Sequence, residues 1–326
     1  MRVGIIGCGL IGRKRAHALP PPCKAVLFCD VQQDRAESLA LKFEGAQACC
    51  DWREAVRHPD LDIVIVSTTH DMLAAVAAEA AANGKHVLVE KPCARRAAEL
   101  DPVLKAIEIS GVRARAGFNH RYHRALQKAR EIFEAGLLGE LMFIRGRYGH
   151  GGRPGYNKEW RAVPEISGGG EAIDQGVHLI DLARWFAGDF PHVQGHVATY
   201  FWDMPVEDNA FFLLRTARNQ TAFLHATWTE WKNLFSLEVC GRDGKLEIQG
   251  LGGSYGVERL AHYHMRPEMG PPDTLIYEFP QADNSWEREF QEFLEDIRRE
   301  RDPQPNISDA QAALRIVEQV YQESRS

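Results

Sequence analysis

Hydrophobic positions change rhythm once along this chain. Up to residue 121, short continuous apolar runs alternate with stretches of helical periodicity. The runs at 2–7, 25–29, 61–67, 86–89 and 113–118 read as strands buried on both faces. The stretches at 12–19, 35–42, 51–56, 71–83 and 97–110 read as the helices between them, with Asn83-Gly84 closing one just before the strand at 86. This alternation predicts a doubly wound parallel sheet with ligands at the carboxyl ends of its strands. Those ends carry Gly7, Asp30, Ser67-Thr68-Thr69, Glu90-Lys91-Pro92 and Asn119-His120-Arg121, so polar groups collect where a site is expected.

Beyond Arg121 a period of two takes over. Alternating runs occur at 141–148, 192–201, 209–216, 221–229, 235–239 and 245–248, with later ones at 258–263 and 274–279. Helical patterns remain at 125–135, 171–186 and 285–301, and Ser308-Asp309 caps a last helix through Tyr321. Asp243-Gly244 between two runs is a hairpin signal. The expected architecture is an α/β domain over 1–121 followed by an α+β domain over 122–326. The second holds a large, mostly antiparallel open sheet and a C-terminal helix at about 308–323.

The first strand runs straight into Gly7-x-Gly9-x-x-Gly12, and each glycine meets a separate requirement. Gly7 permits the tight turn, Gly9 lets a pyrophosphate approach the backbone, and Gly12 lets the next helix pack against the sheet. Leu10 and Ile11 open that helix, whose first N–H groups face the phosphates. The second strand ends in Asp30, roughly 20 residues past the loop, where a ribose-binding carboxylate is expected. A carboxylate accepts from the ribose hydroxyls and repels a 2′-phosphate. Residues 31–33 are Val, Gln and Gln, with no cation before Arg35, so NAD is the expected dinucleotide and the first domain is of Rossmann type. Ser67, Thr68, Glu90, Lys91 and Asn119, at the other strand ends, complete the expected cofactor contacts.

Composition narrows the class. The 326 residues are 44% hydrophobic and 26% charged with a net charge of −6, which suits two globular domains and gives no basic footprint for nucleic acid or membrane surfaces. No apolar run approaches the ~18–20 residues of a membrane span, and a strand beginning at Arg2 leaves no room for a signal peptide. Seven cysteines without zinc-ligand spacing read as reduced thiols of a cytoplasmic protein, and no metal is expected.

Two further stretches carry chemistry. Pro92 disfavours helix at Lys91, which holds that lysine extended at the sheet's carboxyl edge. Gly168-Gly169-Gly170 precedes a helical stretch in which Asp174 and His178 stand four residues apart and share a face. A histidine beside a carboxylate suits a general base at neutral pH. The glycines would let that helix start close to a ligand. The loop at 151–158 offers Arg153, Tyr156 and Lys158 as donors to substrate hydroxyls or an anionic substituent.

These motifs, together with Gly117-Phe118-Asn119-His120-Arg121-Tyr122, make the whole chain resemble the glucose–fructose oxidoreductase, inositol dehydrogenase and related proteins of the Gfo/Idh/MocA family. The resemblance implies a catalytic set of Lys91, Asp174 and His178, and nicotinamide-side contacts from Trp160-Arg161. It implies a substrate site of Lys91, Arg121, Tyr156, Lys158, Asp174 and His178, and an open sheet that builds a homodimer or homotetramer. The loop after the third long strand usually carries Pro and His in this family; Thr69 and Leu73 stand there instead. The expected activity is NAD-dependent oxidation of a secondary hydroxyl of a sugar, sugar derivative or cyclitol, or the reverse. An NAD-dependent glycosidase and a non-catalytic dinucleotide-sensing regulator are the alternatives.

Overall fold

The computed structural model describes residues 1–324. Six strands, β1 (Arg2–Ile6), β2 (Lys24–Cys29), β3 (Gln47–Cys49), β4 (Ile63–Val66), β5 (His86–Glu90) and β6 (Ala114–Gly117), alternate with helices α1 (Leu10–His17), α2 (Gln33–Ala40), α3 (Trp52–Arg57), α4 (His70–Ala82) and α5 (Asp101–Ser110). There follow α6 (Arg124–Glu134), β7 (Leu141–Gly149), the short α7 (Pro164–Ser167) and α8 (Val177–Ala187). Seven more strands are β8 (His192–Ala198), β9 (Asn209–Arg215), β10 (Thr221–Thr227), β11 (Leu234–Gly241), β12 (Gly244–Gln249), β13 (Glu258–His264) and β14 (Asp273–Phe279), and the chain closes with α9 (Ser285–Arg298) and α10 (Ile307–Glu323).

Two compact units form: residues 1–118, 165–168 and 286–314 make the first, and 119–164, 169–285 and the described residues from 315 onward the second. The first unit is a parallel sheet of order β3-β2-β1-β4-β5-β6, so the winding reverses between β1 and β4. Its central strands are apolar on both faces: Val3, Ile5, Ile63, Ile65 and Leu88 on one and Val64, Val66 and Val87 on the other are all 0% exposed, as a sheet covered on both sides requires. Phe290 and Phe293 of α9 complete this core. The strand β3 was not expected; three residues are too few to show a period, and register with β2 defines it.

A charged group lies inside this unit. Arg15 of α1, 1% exposed, binds Glu90 at the end of β5 (Nε–Oε1 2.5 Å) and Glu289 of α9 (Nη1–Oε2 2.5 Å). Its guanidinium also lies 4.4 Å from the Trp286 ring centroid. Burial pushes the Glu289 carboxyl up, and Arg15 opposes that shift.

The second unit is one sheet of order β14-β13-β12-β11-β7-β10-β9-β8 in which β7 and β10 alone pair in parallel. α8 packs on β7 and β10, and α6 on β12 and β13. Alternation sorts the strands as expected: Phe212, Leu214, Leu224, Leu237, Val239, Leu246 and Ile248 are 0% exposed, whereas Leu213 (44%) and Phe223 (50%) point outward.

Of the boundaries that differ from the sequence reading, three have a clear local reason. The run expected over 192–201 stops at Ala198, because Asp208 takes the N–H groups of Tyr200, Phe201 and Trp202 (2.9, 2.8 and 2.9 Å) into a turn. The last helix is capped by Asn306 rather than Ser308, through reciprocal bonds between Asn306 and Asp309 (3.0 Å each way). The stretch at 171–186 is not uniform: residues Ala172–Gly176 form a π-helical turn that leads into α8.

Candidate active site

The glycine turn separates structural from ligand-facing glycines. Gly7 takes φ +95°, and a Cβ there would lie 2.4 Å from the Ser67 carbonyl oxygen. At Gly12 a Cβ would lie 1.9 Å from the Gly7 carbonyl oxygen, so α1 presses on the turn itself. At Gly9 nothing lies within 4 Å of the Cβ position. Protein packing therefore requires the outer two glycines, and the middle one leaves backbone open to a ligand. α1 begins there with no acidic residue in its first turn, its leading N–H groups lacking intrahelical partners. Leu10 beside them is 68% exposed. This cradle fits a pyrophosphate.

Asp30 follows β2 and is nearly buried. Its Oδ2 accepts from Cys8 N–H (2.8 Å) and its Oδ1 from Gln32 N–H (2.9 Å), which fixes the carboxylate against the glycine turn. Each oxygen keeps a lone pair for a ribose hydroxyl. Burial, then Asp30, pushes the Cys8 thiol up to about 12, so Cys8 stays a thiol at neutral pH. Ser67 donates its hydroxyl to the Gly7 carbonyl (2.8 Å), and Thr68 Oγ1 donates to the Thr69 carbonyl (3.1 Å). Glu90 meets Arg15 as described, and Lys91 follows it, half-buried at the carboxyl end of β5.

In the second unit a buried carboxylate sets the geometry. Glu207 accepts from Gly170 N–H (3.0 Å), Ala172 N–H (3.0 Å) and the Tyr321 hydroxyl (2.7 Å). Burial pushes its carboxyl up, and these donors pull it back down. The triple glycine answers to this protein packing rather than to a ligand. A Cβ on Gly170 would lie 1.9 Å from the Glu207 carbonyl oxygen, and one on Gly169 2.0 Å from the Tyr321 hydroxyl. From this clamp the π turn carries Asp174 and Gln175, and α8 opens with Val177 and His178.

Asp174 Oδ2 receives Arg161 Nε at 3.1 Å, and the Arg161 guanidinium lies 4.5 Å from the Trp160 ring centroid. His178 is 4% exposed and stacks on His120, with centroids 3.6 Å apart and planes at 16°. Tyr148, at the end of β7, stands edge-on to both rings, 5.1 Å from His120 and 6.1 Å from His178. Tyr255 lies 5.1 Å from Tyr148 and accepts a bond from Gln175 Nε2 at 3.3 Å. Burial raises the phenols of Tyr148, Tyr156 and Tyr255, so all three remain protonated at neutral pH.

The remaining sequence candidates are placed as follows. Arg121 makes a buried two-point pair with Asp181 (2.8 and 2.6 Å), and Asn119 Nδ2 donates to Ser285 Oγ (2.9 Å). Tyr156 is 3% exposed and packs edge-on against Trp228 at 4.9 Å, so the loop at 151–158 is anchored at its centre; Lys158 is exposed. Sequence reasoning did not single out Tyr148, Gln175, Glu207 or Tyr255. Tyr148 is the last inward position of β7, which alternation could have flagged; Tyr255 sits among glycines in the turn from β12 to β13, where no period exists. Among the described residues, no group of three or more His, Cys, Asp or Glu could hold a metal ion, and no helix is long and apolar enough to cross a membrane.

Comparison with known proteins supplies the family. Residues 1–118 match the oxidoreductase family, NAD-binding Rossmann fold, and residues 126–247 match the GFO/IDH/MocA C-terminal domain. Levoglucosan dehydrogenase of Pseudarthrobacter phenanthrenivorans is 29% identical over 67% of this chain and 59% of its own length. Myo-inositol 2-dehydrogenase of Thermotoga maritima is 30% identical over 58% of this chain and 55% of its own. The chain thus spans less than two thirds of the curated relatives it matches here. A solved structure of levoglucosan dehydrogenase in complex with NADH and levoglucosan shares the fold, with a TM-score of 0.90 at 21% identity over 100% of this chain and 97% of that one.

The placement of Asp30 generates a prediction. Fluorescence titration should show NADH bound at least about tenfold more tightly than NADPH, since a 2′-phosphate would meet a fixed carboxylate. Asp30→Ser should narrow that ratio. Equal affinities in the unaltered protein would show that Asp30 faces away from the ribose.

Proposed function

We propose that this chain, which belongs to the Gfo/Idh/MocA family of oxidoreductases, is an NAD-dependent dehydrogenase that oxidises a secondary hydroxyl of a sugar or cyclitol, or reduces the corresponding ketone. The observation that carries the reading is the buried His178, held against His120 and Tyr148 in the first turn of α8, directly after the π turn that carries Asp174. The relatives named above act on an anhydrosugar and a cyclitol, which supports the substrate class.

The open backbone at Gly9, with Gly7, Leu10, Ile11, Gly12 and Asp30, would hold the pyrophosphate and adenosine ribose. Ser67, Thr68, Glu90, Lys91, Asn119, Trp160 and Arg161 would supply the other contacts, Glu90 and Asn119 through their main chain, because Arg15 and Ser285 engage their side chains. When bound, NAD supplies the two-electron acceptor that oxidation of a carbinol carbon needs. His178 takes the hydroxyl proton as general base. Lys91 hydrogen-bonds the reacting oxygen and favours its developing negative charge. Asp174, held by Arg161, orients the substrate or the imidazole. Arg121, Tyr156 and Lys158 are the outer substrate groups of the proposal, of which Lys158 is the exposed one.

We also propose a homodimer or homotetramer. Phe211, Leu213 and Phe223 lie on the face of the sheet that alternation turns away from the helices, next to an outward ladder of Arg145, Glu238 and Lys245. Light scattering at micromolar concentration should give a dimer or larger, and Phe223→Lys should shift it toward monomer. A monomeric unaltered protein would contradict this assembly.

The catalytic roles are tested on levoglucosan, myo-inositol and scyllo-inositol with NAD, following NADH. His178→Ala and Lys91→Ala should fold and bind NADH yet lose on the order of 10²–10⁴ in kcat. In the unaltered protein the oxidation rate should rise across the range of about pH 5–8 in which imidazoles titrate, and that limb should vanish in His178→Ala. Near-normal kcat in His178→Ala would remove the histidine as base.

A further inference from the structure

Gln175 presents an acceptor that the protein does not use. The residue is 7% exposed and directly follows Asp174 in the π turn. Its Nε2 donates to the Tyr255 hydroxyl at 3.3 Å, while its Oε1 is buried without a hydrogen-bond partner. Exchanging the amide oxygen and nitrogen would move the unmet group without removing it. A buried polar atom left unmet costs free energy, and native interiors tolerate it mainly where function supplies the partner.

Its surroundings say what that partner is. Tyr255 stands in the Gly-Leu-Gly-Gly-Ser-Tyr-Gly turn between β12 and β13, is only half-buried, and packs 5.1 Å from Tyr148, the ring that stands edge-on to His178. The turn is tied down at its base, where Gly252 N–H donates to Glu258 Oε1 (3.2 Å) and Glu258 pairs with His123 (2.7 Å). The Tyr255 oxygen accepts from Gln175, so the Tyr255 O–H is left to donate. What remains is one phenolic donor beside one amide acceptor, the complement of a hydroxyl group, which both donates and accepts. Glu171, 0% exposed, and Asp174, 7% exposed, both act electrostatically on these phenols and disfavour an anionic group here.

We infer that Gln175 and Tyr255 form a subsite that recognises a neutral hydroxyl of the substrate, other than the one oxidised, and so determine which polyol is accepted. The inference rests on the polyol reading above and adds to it a specificity determinant.

The test measures binding, so that it does not depend on turnover. Levoglucosan and myo-inositol are titrated calorimetrically into the NADH-loaded protein. Gln175→Leu should weaken the tighter polyol by about tenfold or more, the worth of one hydrogen bond to a buried acceptor, and leave NADH affinity unchanged. Tyr255→Phe, on the half-buried turn, should act in the same direction and serves if Gln175→Leu fails to fold. Singly deoxygenated analogues of the bound polyol separate recognition from a structural role. One analogue should bind the unaltered protein about tenfold more weakly than its parent and bind the variant as well as its parent does. Unchanged affinity in both variants, or an equal loss for every analogue, would overturn the inference. If the unaltered protein oxidises a polyol while the variants bind it normally, the subsite alone is wrong. If it binds neither polyol, the subsite falls together with the reading beneath it.

Discussion

Glu207 holds three donors at once, the N–H groups of Gly170 and Ala172 and the hydroxyl of Tyr321, and this fixes where the helix carrying the proposed base begins. A helix start leaves N–H groups without intrahelical partners, and inside a protein they must find acceptors. Here one carboxylate supplies them, and its own burial is tolerated because three donors converge on it. The close approach is open only to glycine: side chains at 169 or 170 would overlap the Tyr321 hydroxyl or the Glu207 carbonyl. Asp174, Gln175 and His178 then follow within nine residues of the clamp, on a wide turn and the first turn of α8. The placement of Asp174, Gln175 and His178 in the second unit depends on that start.

The first unit solves its own version of the same problem. Asp30 takes the Cys8 N–H and so stiffens the turn whose middle glycine has open space above it. Arg15, between Glu90 and Glu289, joins α1 to the end of β5 and to α9. Breaking a pair of this kind leaves an uncompensated buried charge, commonly about 3–5 kcal/mol. Removing one partner would therefore disturb the strand end that presents Lys91 far more than losing a surface ion pair would.

Much of this was legible in the sequence, and the residues show why. Continuous apolar runs betray doubly covered strands, so β1, β2, β4 and β5 stood out, whereas the three residues of β3 carry no period. The glycine turn was readable because each glycine has its own requirement, and all three are met by the geometry at 7, 9 and 12. The triple glycine was visible but its reason was not: only the fold brings Glu207 and Tyr321 to it. The helical pattern at 285–301 was legible, but periodicity cannot say that its Phe290 and Phe293 join the core of the first unit. Gln175 and Tyr255 left no signal, being separated by 80 residues and joined by a single side-chain bond.

In the proposed reaction the two hydrogens of the carbinol leave by different routes, the hydroxyl proton to His178 and the carbon-bound hydrogen to the cofactor. Myo-inositol and levoglucosan deuterated at their ring carbons, incubated with the protein and NAD, distinguish those routes. The account predicts that nuclear magnetic resonance will find the deuterium at nicotinamide C4 of the NADH formed, with ketone produced in equal amount. NADH lacking deuterium at C4, or no NADH from any polyol tried, would contradict it.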